Sequence, residues 1–280
     1  LMSHTGADVL YYSGGLSMNV KANKVISDLP SIKDLHVPPS GSDESTAIGA
    51  AFKFCVERGE KPIPLKNAYL GNEITTEEAM GAVEPFRNNS DYIVLDNPNS
   101  DLMADYLVKG KVLGRCVGKM EFGARALGNR SILCDPSKYE HVALINKKIK
   151  FRDFWMPFTP SILEECADDY IANHKKILAH YMTIGFESTQ LGREHLKAAI
   201  HPHDFTVRPQ LVSKKMNPDY YSLISAFKKK TTIGALLNTS LNLHGSPIAC
   251  SAKDAIEVLT QSGIDGLILP SILILKSETK

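Results

Sequence analysis

The sequence predicts an α/β fold built around a mixed β-sheet. Short apolar runs bounded by turn residues alternate with stretches of helical spacing along the whole chain. Such alternation is typical of α/β domains, but here it is not strictly regular. A mixed sheet is therefore favoured over a doubly wound parallel one. With 280 residues, the chain is also long enough for two domains.

The first part of the chain, up to about residue 90, predicts one short strand and three helices. The segments, in order, are a buried strand over 7–12, the turn Ser13-Gly14-Gly15, a helix over 18–26, the stretch 35–37 before a Pro/Gly/Ser break, a helix over 44–58, a connection over 59–73 and a helix over 75–86. Ser42 or Asp43 is placed to cap the second helix, and TTEEA is a good N-terminal signal for the third. The second helix carries small residues on one face, which permits close packing; they are Ala47, Gly49, Ala50 and Ala51.

The second part predicts eight strands and four helices. The strands are 92–95, 112–117, 131–134, 160–163, 181–186, 234–237, 266–269 and 272–275. The helices are 101–109, 140–149, 220–229 and 252–262. Gly110 closes the first of these helices and Ser251 caps the last.

Composition and charge narrow the class of protein. A net charge of +1 indicates no global basic field, so we expect no binding to nucleic acid. Five scattered cysteines without a CxxC pair argue against a zinc ribbon and suit a reducing cytoplasm. No apolar stretch approaches the roughly 20 residues that span a bilayer, so no membrane partner is expected. The abrupt start, without a signal peptide, suggests a piece of a larger protein.

The most informative segment is the basic, glycine-rich run over residues 118–160. It places Lys119, Arg125, Lys150 and Arg152 among glycines and aromatics. Arginine offers a planar fork to phosphate oxygens, and glycine lets backbone N–H groups approach closely. The run contains no GxxxxGK[ST] motif, so it is not a Walker A loop. It predicts a site for a small phosphorylated ligand, with a solvated basic loop as the alternative.

Two later segments carry further polar candidates. In HPHDFTVRPQ, Arg208 stands before a proline and is placed to face the same anion, although a surface role is equally open. The HxH pair could hold a metal, but Pro202 separates the histidines and no third ligand is nearby. A buried strand ends in Asn238, Ser240 and Asn242, at the kind of sheet edge where ligands bind; a capped turn is the alternative.

The N-terminal part adds two weaker signals. A strand followed by Gly14-Gly15 and a helix can bind phosphate at the helix N-terminus, although such a turn is usually only a turn. Asp43 stands at a second helix start, where it is either a metal ligand or an N-cap.

Six motifs together resemble the O-carbamoyltransferase family of nodulation and antibiotic-tailoring enzymes. EFGARALGNRSI is similar to the family's EFGPRALGNRSI, and NKKIKFRDFWMPFTPSI to its NxKIKxRxxxxPFAPSI. HPHDFTVRPQ resembles HxxDxTxRxQ, and NTSLNLHGSPI resembles NTSFNxxGEPI. SGGLSMN and SDESTAIGAA resemble SGGVALN and GDxGxAxGAA. The motifs occur in the family's order and cover nearly the whole chain.

The resemblance implies two domains with different tasks. Residues 91–280 resemble the YrdC-like domain that forms carbamoyl-adenylate from ATP, with its Mg²⁺, and carbamoyl phosphate. There Arg125, Lys150 and Arg208 would contact phosphate or carbamoyl oxygens. Residues 1–90 resemble the C-terminal part of an actin/sugar-kinase-like domain, which passes the carbamoyl group to a hydroxyl-bearing small molecule. The residues implied to bind nucleotide or its phosphates are Lys119, Arg152, Asn238, Ser240, Asn242, Gly14, Gly15 and Asn19.

Several positions depart from the family pattern. The family's HxxxH metal ligands, which suggest iron, are absent, so Asp43 would hold a divalent metal only with a missing N-terminal half. Met156 stands where many members carry arginine, and Ala124 replaces a proline. We therefore expect a C-terminal fragment that activates the carbamoyl group but does not complete its transfer. The acceptor and the oligomeric state, including a homodimer, stay open.

Two other functions remain compatible with these motifs. One is a threonylcarbamoyl-adenylate synthase of tRNA modification, which would use bicarbonate and threonine instead of carbamoyl phosphate. The other is a nucleotide- or RNA-binding module without turnover. NTSLN and HPHDFTVRPQ favour carbamoyl transfer over the first alternative.

Overall fold

The computed structural model describes residues 2–150 and 157–277, so Arg152 and Met156 lie outside the described part. Its strands are β1 (Val9–Tyr11), β2 (Asp34–His36), β3 (Tyr69–Ile74), β4 (Tyr92–Asp96), β5 (Leu113–Cys116), β6 (Gly118–Glu121), β7 (Arg130–Cys134), β8 (Thr159–Leu163), β9 (Phe186–Glu187), β10 (Thr206–Val207), β11 (Gln210–Val212), β12 (Ala235–Ser240), β13 (Gly266–Leu269) and β14 (Ile272–Lys276). Its helices are α1 (Met2–Thr5), α2 (Val20–Asp28), α3 (Thr46–Glu57), α4 (Thr76–Val83), α5 (Ser100–Val108), α6 (Glu140–Ile145), α7 (Ala167–Tyr170), α8 (Gln190–His195), α9 (Pro218–Thr231) and α10 (Ala252–Gln261).

Eight strands form one mixed sheet in the order β11-β8-β12-β7-β5-β13-β14-β4. The pairs β11–β8 and β5–β13 are parallel, and the other five are antiparallel. Both hydrogen-bonding patterns thus occur within one sheet. The predicted mixed-sheet α/β fold is confirmed.

Helices cover both faces of this sheet because neighbouring residues of its central strands point in opposite directions. Leu133 faces the core under α5 and α9, whereas Ile132 and Cys134 face the core under α4 and α10. The helices contribute matching apolar stripes, such as Leu223 and Phe227 of α9. Each large apolar side chain buried in this way contributes roughly 1.5–3 kcal/mol. Among the described residues, no helix has the length and apolar character needed to cross a membrane.

Local sequence signals set the starts of these helices. The side chain of Thr75 accepts a hydrogen bond from the backbone N–H of Glu78, at 3.1 Å, and so caps α4. Ser251 and Asp254 form a reciprocal capping box at the start of α10. Gly110 has a φ of +84° just after α5, as a left-handed helix end requires. The predicted starts of α4 and α10 and the predicted end of α5 are confirmed.

The N-terminal part differs from its predicted packing. The strand predicted as buried is β1, which forms a two-stranded sheet with β2, and its Val9 and Tyr11 are 42% and 78% exposed. Helix α3 has no buried residue, so its small face packs against nothing within the described chain. Two parallel strands cannot cover their own faces, which explains the exposure.

A second prediction, a strand over 181–186, is wrong for most of its length. Only Phe186 and Glu187 are extended, as the short strand β9. Met182 has a φ of +58°, which interrupts an extended chain.

Contacts cross the predicted domain boundary near residue 91. Strand β3 pairs with β6, and the Glu78 carboxylate accepts a hydrogen bond from the backbone N–H of Ala252 at 2.8 Å. Leu35 of β2 joins the apolar core beside α5 and α9. The division into 1–90 and 91–280 stays a prediction, and these contacts tie its two sides together.

Candidate functional site

The loop from residue 122 to residue 129, between β6 and β7, is organised by the buried carboxylate of Glu121. One oxygen, Oε1, accepts hydrogen bonds from the backbone N–H groups of Leu127 at 2.6 Å, Asn129 at 2.8 Å and Arg130 at 3.2 Å. Burial raises the pKa of Glu121, while its backbone hydrogen bonds act in the opposite direction. Backbone N–H groups of this segment were predicted to bind phosphate. These three instead donate to a carboxylate of the chain itself.

Two glycines let this loop fold tightly. Gly123 and Gly128 have φ values of +102° and +111°. A Cβ at Gly128 would lie 2.3 Å from the ring of Tyr220, and one at Gly123 would lie 2.7 Å from the carbonyl oxygen of Pro39. The glycines thus serve close packing, and the second contact joins the loop to the N-terminal part of the chain.

Two arginines near the loop are buried and hold backbone. Arg130 donates to the carbonyl oxygens of Asn72, Val117, Gly118 and Asn129 at 2.8–3.2 Å. Arg115 donates to the carbonyl oxygen of Gly128 at 2.7 Å and pairs with Asp219. Not every cation of this segment therefore faces a ligand.

Lys150 lies in a buried cage of oxygens at the end of β12. Its ammonium group contacts the carbonyl and hydroxyl oxygens of Ser240 at 2.5 and 3.1 Å, and the carbonyl and amide oxygens of Asn242 at 3.1 and 2.5 Å. The carbonyl oxygen of Lys150 in turn lies 2.6 Å from Nδ1 of His244. The structure thus brings together three predicted site residues from two distant motifs, and only 1% of Lys150 is exposed.

Asn238 and Arg208 meet at the edge of the sheet where β12 ends and β8 begins, Asn238 on β12 itself and Arg208 in the connection between β10 and β11. The side-chain amide of Asn238 donates to Ser161 Oγ at 3.0 Å and to the carbonyl oxygen of Ala126 at 3.2 Å. Asn238 pairs with Thr159 across β12 and β8, and Thr159 Oγ1 accepts two hydrogen bonds from the Arg208 guanidinium at 2.8 and 3.2 Å. Because Ala126 follows Arg125, both predicted arginines are positioned at this edge.

Arg125 and Arg208 line one cavity of about 600 Å³. Helix α2 supplies another wall, with Lys21 and Lys24, while Phe158 and Val207 provide apolar surface. Sequence reasoning did not single out these two lysines. Their spacing of three residues, which places both on one helix face, is the signal that could have identified them.

Carboxylates hold both lysines of this cavity. Lys21 pairs with Asp204, and Lys24 lies 2.8 Å from Asp28 and 3.0 Å from Glu187. Asp28, with a further contribution from Glu187, raises the pKa of Lys24. The cavity therefore combines four cationic side chains, two of which pair with partly exposed carboxylates, an arrangement suited to an anionic ligand.

Asp204 has an unusual environment for a carboxyl group that is a third exposed. Partial burial acts to raise its pKa, but Lys21, two hydrogen bonds from Thr206 and the nearby His201 outweigh that effect. The pKa of Asp204 consequently lies well below its usual range.

The remaining predicted nucleotide residues lie elsewhere. Lys119 is exposed on β6, opposite Glu73, beside a different depression that includes Lys66. The backbone N–H of Gly14 donates to the carbonyl oxygen of Gly41 at 2.6 Å, and Gly15 begins a 3-10 turn. Asn19 caps α2 by accepting a hydrogen bond from the backbone N–H of Ala22 at 3.1 Å. Arg152 lies outside the described residues.

The residues described here do not by themselves fit a divalent metal. Asp43 is exposed on a 3-10 turn, Asp43–Ser45. Across residues 2–150 and 157–277, no three histidine, cysteine or acidic side chains lie close enough together to bind one metal ion. Neither Asp43 nor the HxH pair therefore has the further ligands that a metal site needs within this part of the chain. A metal role for Asp43 stays a prediction that needs ligands from outside this part.

Two solved structures align with the chain, both at TM-scores too low to support a functional inference. Full-length HypF in its phosphate- and nucleotide-bound form has a TM-score of 0.45 and 13% identity, and the match covers 72% of this chain and 26% of HypF. E. coli YciO has a TM-score of 0.43 and 17% identity, and the match covers 62% of this chain and 79% of YciO.

Curated relatives match almost the whole chain. An uncharacterized protein of Methanocaldococcus jannaschii, MJ1051, is 36% identical, with 99% of this chain and 52% of that protein covered. Nodulation protein NolO of Bradyrhizobium diazoefficiens is also 36% identical, with 97% and 50% covered. The 3'-hydroxymethylcephem-O-carbamoyltransferase of Amycolatopsis lactamdurans is 27% identical, with 93% and 47% covered.

The chain thus spans about half the length of these relatives. Residues 104–276, which include the loop after β6, the Lys150 cage and Arg208, match the family model described as Carbamoyltransferase C-terminus. This chain belongs to the carbamoyltransferase family.

Proposed function

We propose that this chain activates a carbamoyl group as carbamoyl-adenylate, the first half of O-carbamoyl transfer to a hydroxyl-bearing small molecule. The observation that carries the proposal is the convergence of Arg125 and Arg208 on one cavity in a member of this family. A cation pair on a sheet edge is suited to phosphate and carboxylate oxygens, which guanidinium groups bind in a planar fork.

The proposed reaction balances without a protein nucleophile. Carbamoyl phosphate, ATP and one water give carbamoyl-adenylate, pyrophosphate and phosphate. Carbamate oxygen, left when the P–O bond of carbamoyl phosphate is cleaved by water, attacks the α-phosphorus of ATP, and the bond to pyrophosphate breaks. A hydroxyl of the acceptor would then attack the carbamoyl carbon and release AMP. Negative charge grows on the departing groups, so the task of this chain is electrostatic.

The residues divide between contact and support. Arg125 and Arg208 would bind phosphate or carbamoyl oxygens, and Asn238 would hold the loop that carries Arg125 against the end of β12. Ser240 and Asn242 would position the nucleotide from the end of β12, with Lys150 fixing their geometry. Lys119 and Arg152 remain proposed phosphate contacts. Gly14, Gly15, Asn19 and Asp43 would belong to the transfer half, which acts on the acceptor.

Exchange of labelled pyrophosphate into ATP tests the proposal without knowledge of the acceptor. Formation of an adenylate is reversible, so label should enter ATP only when carbamoyl phosphate and Mg²⁺ are present. Parallel reactions replace carbamoyl phosphate with bicarbonate plus threonine, or omit both. Exchange that needs threonine would favour a threonylcarbamoyl-adenylate synthase instead.

A third arm addresses binding without turnover. Calorimetric titration with ATP and with double-stranded RNA, at two salt concentrations, separates a nucleotide site from a backbone-binding surface, because the latter weakens steeply with salt. Tight ATP binding with no exchange under any condition would contradict adenylate formation. Salt-sensitive RNA binding without ATP binding would replace it with an RNA-binding module.

A further inference from the structure

Two cations in the cavity have no role in the function proposed above. Lys21 and Lys24 belong to α2, in the N-terminal part, whereas Arg125 and Arg208 belong to the part that matches the family model. Helix α2 packs closely on the chain before β9, since a Cβ on Gly185 would lie 3.4 Å from Val20 Cγ1 and 3.6 Å from Lys24 Cβ. The two lysines are thus held at the rim of the same space that the arginines enter.

We propose that Lys21 and Lys24 bind the phosphates of a nucleoside triphosphate in this cavity, facing Arg125 and Arg208. The inference rests on the proposed function and extends it, because it assigns the polyphosphate to the contact between α2 and the sheet edge. The site would then need residues on both sides of the predicted boundary near residue 91.

The size and shape of the cavity support a polyphosphate ligand. Its volume of about 600 Å³ falls in the range of pockets that enclose drug-sized ligands, well beyond the needs of a single phosphate. The basic groups come from three separate segments, namely α2, the loop after β6 and the connection between β10 and β11. Spread cations match a chain of phosphates better than they match one.

The acidic partners explain how the lysines are held before a ligand enters. Asp204 pairs with Lys21, while Glu187 and Asp28 pair with Lys24. These pairs lie at the surface, where an ion pair contributes about 1 kcal/mol or less. A triphosphate, with more charge, can therefore displace the carboxylates at small cost.

The competing explanation is a tether. Lys24–Glu187 and Lys21–Asp204 both join α2 to the segment around β9 and β10, and such pairs could serve only to hold the helix in place. The two explanations predict different effects of removing Glu187. If the pairs only hold the helix, removal of either Lys24 or Glu187 breaks the same contact and has the same effect. If Lys24 binds the ligand, its removal weakens ligand binding, whereas removal of Glu187 frees Lys24 to bind.

Calorimetry with Mg-ATP on the full chain separates them. Lys24→Met should weaken Mg-ATP binding about tenfold, the usual effect of losing one charge-assisted contact, and Lys21→Met should act in the same direction. Glu187→Gln should tighten binding, or leave it unchanged, because it removes a competitor for Lys24. Carbamoyl phosphate, as a probe with one phosphoryl group, should bind equally well to wild type and to Lys24→Met.

The control is Lys53→Met on α3, whose lysine pairs with Glu57 on an exposed helix surface away from the cavity. Thermal unfolding of every variant guards against misfolding. If Lys24→Met and Glu187→Gln weaken Mg-ATP binding equally, or if both lysine variants bind like Lys53→Met, the inference is wrong while the proposed function stands. If the wild type binds no Mg-ATP and shows no exchange, both are wrong.

Discussion

The cationic side chains discussed above fall into two groups, buried cations and cavity cations, which the sequence alone does not distinguish. The buried cations, Lys150, Arg115 and Arg130, lie inside the fold and bond backbone or side-chain oxygens. The cavity cations, Lys21, Lys24, Arg125 and Arg208, line the cavity beside α2. Arg125 and Arg130 are neighbours in one motif and yet fall into different groups. The type of residue alone therefore does not identify the cations that reach a ligand.

The difference between the groups is energetic. A buried charge is costly unless it is paired or hydrogen-bonded, and each buried cation accordingly donates to several oxygens of the fold. The cavity cations keep access to solvent, and two of them, Lys21 and Lys24, pair with partly exposed carboxylates. The first group stabilises the frame of the site, and the second group remains able to change partners.

Removal of a buried cation should cause the largest change, a loss of folding stability. Lys150→Met leaves the oxygens of Ser240 and Asn242 without their donor in a buried place. Each unsatisfied buried group costs about 1–3 kcal/mol, so the free energy of unfolding should fall by roughly 3 kcal/mol. Urea unfolding followed by circular dichroism measures this loss.

Lys147→Met is the matched control, because Lys147 lies in the same motif and is exposed. Its free energy of unfolding should stay within about 0.5 kcal/mol of wild type. Equal stability of the two variants would show that the Lys150 cage does not support the fold, and the distinction between the two groups would fail.

Removal of a cavity cation should affect catalysis instead. Arg125→Ala should lower carbamoyl-phosphate-dependent pyrophosphate exchange by about 100-fold, the usual effect of deleting one donor to developing negative charge. The free energy of unfolding should change by less than about 1 kcal/mol, since Arg125 is only partly buried. Exchange rates and urea unfolding of the same preparations give the two quantities.

The control is Arg193→Ala on α8, where an exposed guanidinium lies over the ring of Phe205 at 4.6 Å. It should leave exchange unchanged. If Arg125→Ala keeps exchange within about threefold of wild type, the cavity is not the place where charge develops.

Much of the fold follows from local signals in the sequence. Strand β8 and helix α10 were predicted within a residue or two, because an apolar run and a serine cap mark them. The pair β3–β6 was missed, since Gly118–Glu121 has no alternating apolar pattern and its partner lies far away in the chain. Non-local pairing of polar strands leaves no local trace.

The site shows the same limit. The motifs located the loop after β6, but not the capture of its amides by Glu121. They placed Lys150 near a ligand, but not inside the cage formed by Ser240 and Asn242. The burial and the hydrogen-bond partners of a side chain are determined only when distant segments of the chain pack together. These two properties distinguish the buried cations from the cavity cations, whereas amino-acid composition does not.

The smallest expected effect concerns the acidic partners of the cavity cations. The pKa of Asp204 is lowered in the fold, so its ionised form contributes stability above its ordinary pKa of 3.8, and this contribution is lost as the pH falls through the lowered native value. Asp204→Asn keeps an acceptor for Thr206 but removes the charge facing Lys21 and His201. It should lower the free energy of unfolding at pH 7 by about 1 kcal/mol or less, given the exposure of the pair.

The pH dependence of urea unfolding identifies the source of that loss. The difference between wild type and Asp204→Asn should shrink below pH 4, because Asp204 of the unfolded chain then takes up a proton that the folded carboxylate does not. Asp168→Asn, which removes an exposed pair with Lys176, should show almost no difference at any pH. A loss for Asp204→Asn as large as that for Lys150→Met would mean that the cavity lysines are fixed as firmly as the buried cations, and they could not then exchange a carboxylate for a phosphate.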